Sequence, residues 1–211
     1  MTRAVLCFGD SNTHGTPPLE TRNALAQRYP RNVRWPGVMA ERLGEGWHVI
    51  EEGHPGRTTV HDDAIEGEHR NGARVLLAIL ESHKPIEVMV LMLGTNDCKQ
   101  RFSLTSLDIA LGILRLIHVA QASGLVGRIV VVSPAPIEER GCLAEIFTGG
   151  AARSRGVAAH LKDIAAERGC TFLDAGSLVT VDPLDGVHLS AKSHHTLGAA
   201  VAEMVSTPPS D

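Results

Sequence analysis

The stretch Val88-Met89-Val90-Leu91-Met92-Leu93-Gly94-Thr95-Asn96-Asp97 decides the fold. Its first six residues are all apolar and do not alternate, and the run is short, which is the pattern of a strand covered on both faces. Such a strand belongs in the middle of a parallel sheet with helices on either side. The run stops at Gly94 and passes directly into Asn96 and Asp97, so an amide and a carboxylate are delivered to one edge of the sheet. In open parallel sheets ligands bind beyond the carboxyl ends of the strands, which is that edge.

Working outward, β-rich runs lie at residues 4–8, 48–51, 88–93, 128–133 and 171–173. Between them, residues 36–43, 72–83, 104–122, 151–168 and 191–205 carry apolar positions three and four apart, the spacing of helices that bury one face. This alternation predicts a three-layer α/β/α fold, flavodoxin-like, with a five-stranded parallel sheet. No internal repeat or linker interrupts it, so residues 1–206 read as a single domain and 207–211 as a frayed tail. Residues 16–34 and 54–71 break the rhythm as long polar loops, both leaving from the carboxyl side of the sheet, where they are expected to wall a pocket. For 16–34 a surface excursion or an oligomer contact is an equal reading.

Composition narrows the function classes. With 211 residues, 43% hydrophobic and 21% charged, the chain has the balance of a globular domain. A net charge of -4 and no Lys/Arg cluster leave it without the footprint of a nucleic-acid binder. No apolar run approaches the roughly 20 residues that cross a bilayer. The apolar run after Met1-Thr2-Arg3 reaches Asp10 too soon for a secretory core, so a cytoplasmic protein is expected. Cys7, Cys98, Cys142 and Cys170 form no C-x-x-C pair and read as reduced thiols, and no cofactor motif is present.

Three strand ends and one C-terminal turn carry chemistry. The first strand runs into Gly9-Asp10-Ser11-Asn12, where Gly9 permits a tight turn and a following helical turn aims backbone N–H groups at negative charge near Ser11. The second runs toward His54-Pro55-Gly56-Arg57; Gly56, lacking Cβ, lets its N–H approach a substrate oxygen. With the Ser11 N–H and the Asn96 amide, three donors would converge on one oxyanion. Asp185-Gly186-Val187-His188 places a carboxylate and an imidazole on one turn, so that Asp185 would fix the His188 tautomer and leave Nε2 to take the Ser11 proton. Alone, each of these is an ordinary loop; together they describe a nucleophile, a base and an orienting acid. Asp10 and Asp97 are expected to brace loop amides, and Trp35 and Trp47 to pack. Phe147 is equally an acyl-site wall or a core residue.

In this order and spacing, Gly9-Asp10-Ser11, Gly56, Gly94-x-Asn96-Asp97 and Asp185-x-x-His188 resemble the four blocks of the SGNH (GDSL-like) hydrolases. Segments such as VLCFGDSNTHG, VRWPGVMAERLG, LMLGTND and VVVSPAP are similar to the bacterial arylesterase and acyltransferase branch. The resemblance implies a serine esterase acting on short-chain acyl esters, aryl acetates or acetylated carbohydrates, with Ser11 as nucleophile, His188 as base and Asp185 as its partner. It also implies an oxyanion hole of Ser11, Gly56 and Asn96, no metal, and, with the long loops, a homo-oligomer. Asn12, His14 and Thr16 stand where related arylesterases often carry bulky apolar residues, which predicts a wider or more polar pocket and weighs against efficient acyl transfer to alcohols or peroxide.

Two other readings are weighed. His54, His61, Asp62, Asp63, His69, His194 and His195 supply metal-binding side chains but no fixed ligand spacing. A phosphate- or nucleotide-binding module of flavodoxin-like fold would use the Gly9–Gly15 turn. That turn matches neither G-x-x-x-x-G-K-[ST] nor G-x-G-x-x-G, and phosphate binding gives Asn96, Asp185 and His188 no task.

Overall fold

The computed structural model describes residues 2–23 and 27–207. Strands β1 (Arg3–Gly9), β2 (Trp47–Gly53), β3 (Ile86–Met92), β4 (Val126–Ser133) and β5 (Thr171–Asp174) form one sheet in the order β2-β1-β3-β4-β5, with every neighbouring pair parallel. The helices are α1 (Ser11–His14), α2 (Trp35–Leu43), α3 (Gly72–His83), α4 (Ser106–Ser123), α5 (Gly150–Glu167) and α6 (Ala191–Ser206).

Alternation along the strands builds two cores. Leu6, Phe8, Met89, Leu91, Ile129 and Val131 face α3, α4 and α5, while Val5, Cys7, Val88, Val90, Val130 and Val132 face α2 and α6. From Val88 to Met92 β3 is covered on both faces, which is why this part of its sequence does not alternate in polarity. Helix starts follow side-chain chemistry: Asn71 Oδ1 accepts from the Ala73 N–H at 3.0 Å, and Thr105 and Asp108 form a capping box ahead of α4. By length and composition α4 is long and apolar enough to cross a bilayer, contrary to the expectation that no apolar run approaches that length. In this fold its Ile109, Ile113, Leu116 and Ile117 are packed into the core.

The chain leaves β1 to one side for β2 and crosses back to the other for β3, so a crevice opens at the carboxyl ends of these strands. The two loops differ in how they meet it. Residues 54–71 are ordered by bridges Thr58↔Asn71 and Asp63↔Gly67 and by a 3-10 turn at Glu68–Arg70. In the other loop Thr16, Leu19 and Arg22 line the crevice, so this part walls the pocket; residues 24–26 lie outside the described residues. Thr207 closes α6 by donating its N–H to the Glu203 carbonyl at 3.1 Å, and the rest of the expected tail, 208–211, lies outside the described residues.

Candidate active site

Ser11 is the first residue of α1, directly beyond β1, and is 5% exposed. Its position depends on Asp10, whose carboxylate accepts from the Asn12 N–H at 2.9 Å and caps the short helix. Gly9 acts through space rather than through an unusual backbone conformation: a Cβ there would lie 2.0 Å from Thr13 Oγ1 and 2.8 Å from the Met92 carbonyl oxygen. The turn therefore needs glycine because α1 folds back onto the strand end.

His188 and Asp185 arrive from the segment between β5 and α6. His188 Nε2 lies 3.1 Å from Ser11 Oγ, and His188 Nδ1 lies 2.6 Å from Asp185 Oδ2. Asp185 is fully buried and accepts from four donors, the other three being the N–H groups of Val187 and His188 at 2.9 Å and of Leu19 at 2.8 Å. Burial pushes its carboxyl up, but the His188 ring and these amides outweigh burial and hold it below the usual carboxylate value. The turn is held tightly: Gly186 adopts φ +71°, and a Cβ there would come within 2.1 Å of the Glu138 carbonyl oxygen.

Asn12 corrects one expectation. Its side chain does not widen the pocket; Nδ2 donates to the Val187 carbonyl at 3.1 Å and Oδ1 accepts from the Leu189 N–H at 3.0 Å. It thereby clamps the His188 segment to the helix that carries Ser11. His14 also stays out of the pocket lining, whereas Thr16 joins it.

The expected donors gather around Ser11. Gly56, at φ +77°, Asn96 and Ser11 line one cavity with His188. Among the described residues the N–H groups of Ser11 and Gly56 have no hydrogen-bond partner. Asn96 gives one amide proton to the Arg57 carbonyl at 3.1 Å, which orients the group and leaves its second proton free. Asp97 does brace a loop amide, accepting from the Thr59 N–H at 3.1 and 3.0 Å and from its hydroxyl at 2.5 Å. The cavity, about 250 Å³, has an apolar side of Leu19, Leu143, Ile146, Phe147 and Val187. Phe147 is both pocket wall and core residue. Trp35 is buried against α6 and does not line the pocket.

The metal-binding side chains named above are dispersed. Asp62 pairs with Arg74, Asp63 with Lys99 and Arg101, and His194 is buried beside the Trp35 N–H at 3.3 Å. His54 and His69 meet edge to face with ring centroids 5.5 Å apart, and burial, reinforced by Arg70 and Arg57, pushes His54 down to about 4. Among the described residues no three His, Cys, Asp or Glu side chains are placed to share a metal ion.

Asp10 carries a measurable cost. Burial, opposed by the Asn12 amide, pushes it up to about 6 from its ordinary 3.8, and its Oδ2 lacks a partner among the described residues. A raised carboxyl means that the folded protein holds a proton the unfolded chain has released. Stability from this group therefore falls as pH rises from about 4 to about 6, by about 3 kcal/mol in order of magnitude. Asp10→Asn keeps a cap and removes the charge. It is expected to raise the melting temperature at pH 8 by about 5–10 °C, with the gain vanishing near pH 4. An equal shift at both pH values would refute this account.

The chain belongs to the GDSL-like lipase/acylhydrolase family, whose sequence model matches residues 7–196, and it is thereby a carboxylic ester hydrolase of the SGNH type. Among solved structures it is similar to the aryl esterase of M. smegmatis, with 39% identity, a TM-score of 0.92, and 97% of this chain and 99% of that one covered. It is also similar to a carbohydrate acetylesterase from Sinorhizobium meliloti, with 38% identity, a TM-score of 0.92 and the same coverage. A further carbohydrate acetylesterase family member from Sinorhizobium meliloti is 36% identical, with a TM-score of 0.90 and 97% of each chain covered. No curated protein matches the chain.

The residues that sequence reasoning missed are Lys99 and Glu66, which line the cavity, and Leu19, which holds Asp185. Lys99 follows the Gly94–Asp97 block by two residues, but its burial at 3% exposure rests on partners more than 30 residues away.

Proposed function

We propose that this protein is a serine esterase that hydrolyses small short-chain acyl esters, aryl acetates or acetylated carbohydrates, through an acyl-enzyme on Ser11. The observation that carries the proposal is the unbroken relay from Ser11 Oγ to His188 Nε2 at 3.1 Å and from His188 Nδ1 to Asp185 Oδ2 at 2.6 Å. His188 takes the Ser11 proton as Oγ attacks the ester carbonyl, and gives it to the departing alcohol. Water then enters and repeats the exchange, freeing the acid. The tetrahedral oxyanion is received by the Ser11 and Gly56 N–H groups and the free Asn96 proton. The small cavity favours a short acyl chain, the carbohydrate acetylesterase relatives favour acetate, and the aryl esterase relative favours an aryl alcohol half.

The test is hydrolysis of p-nitrophenyl acetate, butyrate and octanoate, together with labelling by an organophosphonate. The expected results are a fastest rate with acetate and one phosphonate per chain, attached at Ser11; labelling elsewhere, or none, defeats the proposal. Asn96→Ala removes one oxyanion donor and is expected to lower kcat about 10²- to 10³-fold with KM changed far less. A loss confined to KM would place Asn96 in ground-state binding instead. Acyl transfer to alcohols in place of water belongs to the same proposal as a side activity. So does a homo-oligomer, supported by Leu107 and Leu111 exposed on α4 and tested by light scattering.

A further inference from the structure

The cavity beside Ser11 has a second wall unlike its apolar one. Glu66 and Lys99 line it, and behind them lie Asp63 and Arg101. Lys99 Nζ contacts Glu66 Oε1 at 2.5 Å and Asp63 Oδ2 at 3.5 Å, while Arg101 reaches the same two carboxylates at 3.2 and 2.9 Å. The side chain of Lys99 is 4% exposed and that of Asp63 is fully buried. Burial pushes the Asp63 carboxyl up, but the Glu66 and Ile65 amides and the two cations outweigh it and hold it below the usual value. Two cations and two carboxylates thus form a neutral quartet whose inner pair, Lys99 and Asp63, is buried, while the Arg101 and Glu66 side chains keep 22% and 31% exposure.

Two features aim this quartet at a ligand. Glu66 Oε1 is used twice, by Lys99 and Arg101, whereas Oε2 has no partner among the described residues. Oε2 also sits against the backbone at Gly56, since a Cβ on that glycine would lie 2.6 Å from it. A free acceptor therefore stands next to a proposed oxyanion donor, with a buried ammonium, which has three protons, one step away. A group with both a donor and an acceptor satisfies such a pair; a net-charged group gains little from a neutral cluster and loses its hydration.

We propose that Glu66 Oε2 and Lys99 Nζ form a subsite that reads a hydroxyl group within a few bonds of the scissile carbonyl, which makes hydroxylated esters the preferred class. This rests on the esterase reading above and deepens it. The hydroxyl comes either from the alcohol half, as in a partly acetylated polyol, or from a hydroxyacyl half, and the two are separable by matched pairs.

The experiment measures kcat/KM by proton release for glycerol monoacetate against propyl acetate, and for methyl 3-hydroxybutyrate against methyl butyrate. The wild type is expected to favour the hydroxylated member of one pair about tenfold or more, the factor of a hydrogen bond to a charged group. Which pair responds identifies the half that carries the hydroxyl. In Glu66→Gln the amide oxygen turns to the two cations and an NH₂ replaces the free acceptor, so that preference is expected to fall about tenfold, mostly through KM. Equal loss for both members of a pair marks a merely structural role and overturns the subsite. A flat ratio in both pairs for the unaltered protein overturns it as well, whether or not the variant folds. If the wild type cleaves p-nitrophenyl acetate while its ratios are flat, only the subsite falls; if it cleaves no ester at all, the esterase reading falls and takes the subsite with it.

Discussion

Ser11→Ala is expected to lower kcat for p-nitrophenyl acetate by about 10⁶-fold, with far-UV circular dichroism unchanged. The size follows from the non-additive character of a nucleophile and base acting as one unit, in which loss of the nucleophile removes the covalent route altogether. The fold has little reason to respond. Ser11 Oγ has one side-chain contact, with His188 Nε2, and α1 is held instead by the Asp10 cap and the Asn12 clamp. What survives in the variant is the oxyanion site acting on water, a residual rate still above the uncatalysed one. A variant retaining more than about one hundredth of wild-type turnover would show that Ser11 is not the attacking group.

Asp185→Asn is expected to lower kcat about 10⁴-fold, because an amide of the same shape reverses the hydrogen-bond logic of the imidazole. Asp185 Oδ1 accepts two backbone amides at 2.9 Å, and Oδ2 accepts the Leu19 N–H at 2.8 Å and faces His188 Nδ1 at 2.6 Å. In the variant the amide oxygen stays with the paired backbone donors, which places NH₂ opposite Nδ1. The ring then carries its proton on Nε2, the atom that must accept from Ser11. The Leu19 N–H also loses its acceptor, so a stability loss of about 1–3 kcal/mol accompanies the kinetic one. Because the wild-type Asp185 carboxyl lies below the usual range, it stays ionised on mild acidification. Activity is therefore expected to fall as pH falls, because the base works only as a neutral imidazole and Asp10, beside Ser11, gains its proton near pH 6. A rate rising steadily toward acid would remove His188 as base.

Much of the architecture was legible because local periodicity and burial agree. The expected helix 72–83 coincides with α3, and the run at 88–93 became the central strand Ile86–Met92. Strand ends pointed to Ser11 and Asn96 for the same reason: both follow apolar runs that stop abruptly at a glycine, whereas Asp185 and His188 lie on a turn well beyond β5. Side-chain direction was not legible. Asn12 was read as a pocket residue from its place after Ser11, but its partners are Val187 and Leu189, and no local pattern encodes a contact across 175 residues. Gly9 permits the tight turn, as the sequence implies, but the reason is room for Thr13, which the sequence does not display. The pairing of Lys99 and Arg101 with Asp63 and Glu66 escaped notice because their segments are separate loops in sequence that become one wall only in the fold.

The relay joins residues 177 positions apart, and this bears on how the protein comes to life during synthesis. Ser11 is synthesised well before the segment that carries Asp185 and His188, and strands β2 to β5 lie between the two. A nascent chain at that stage holds its hydroxyl without a base, and the N–H groups at Ser11 and Gly56 without a reaction to serve. Chemistry requires that the Asp185–His188 segment be made and that the Asn12 clamp close on it. Products that stop short of Asp185 are in this way expected to be silent toward esters.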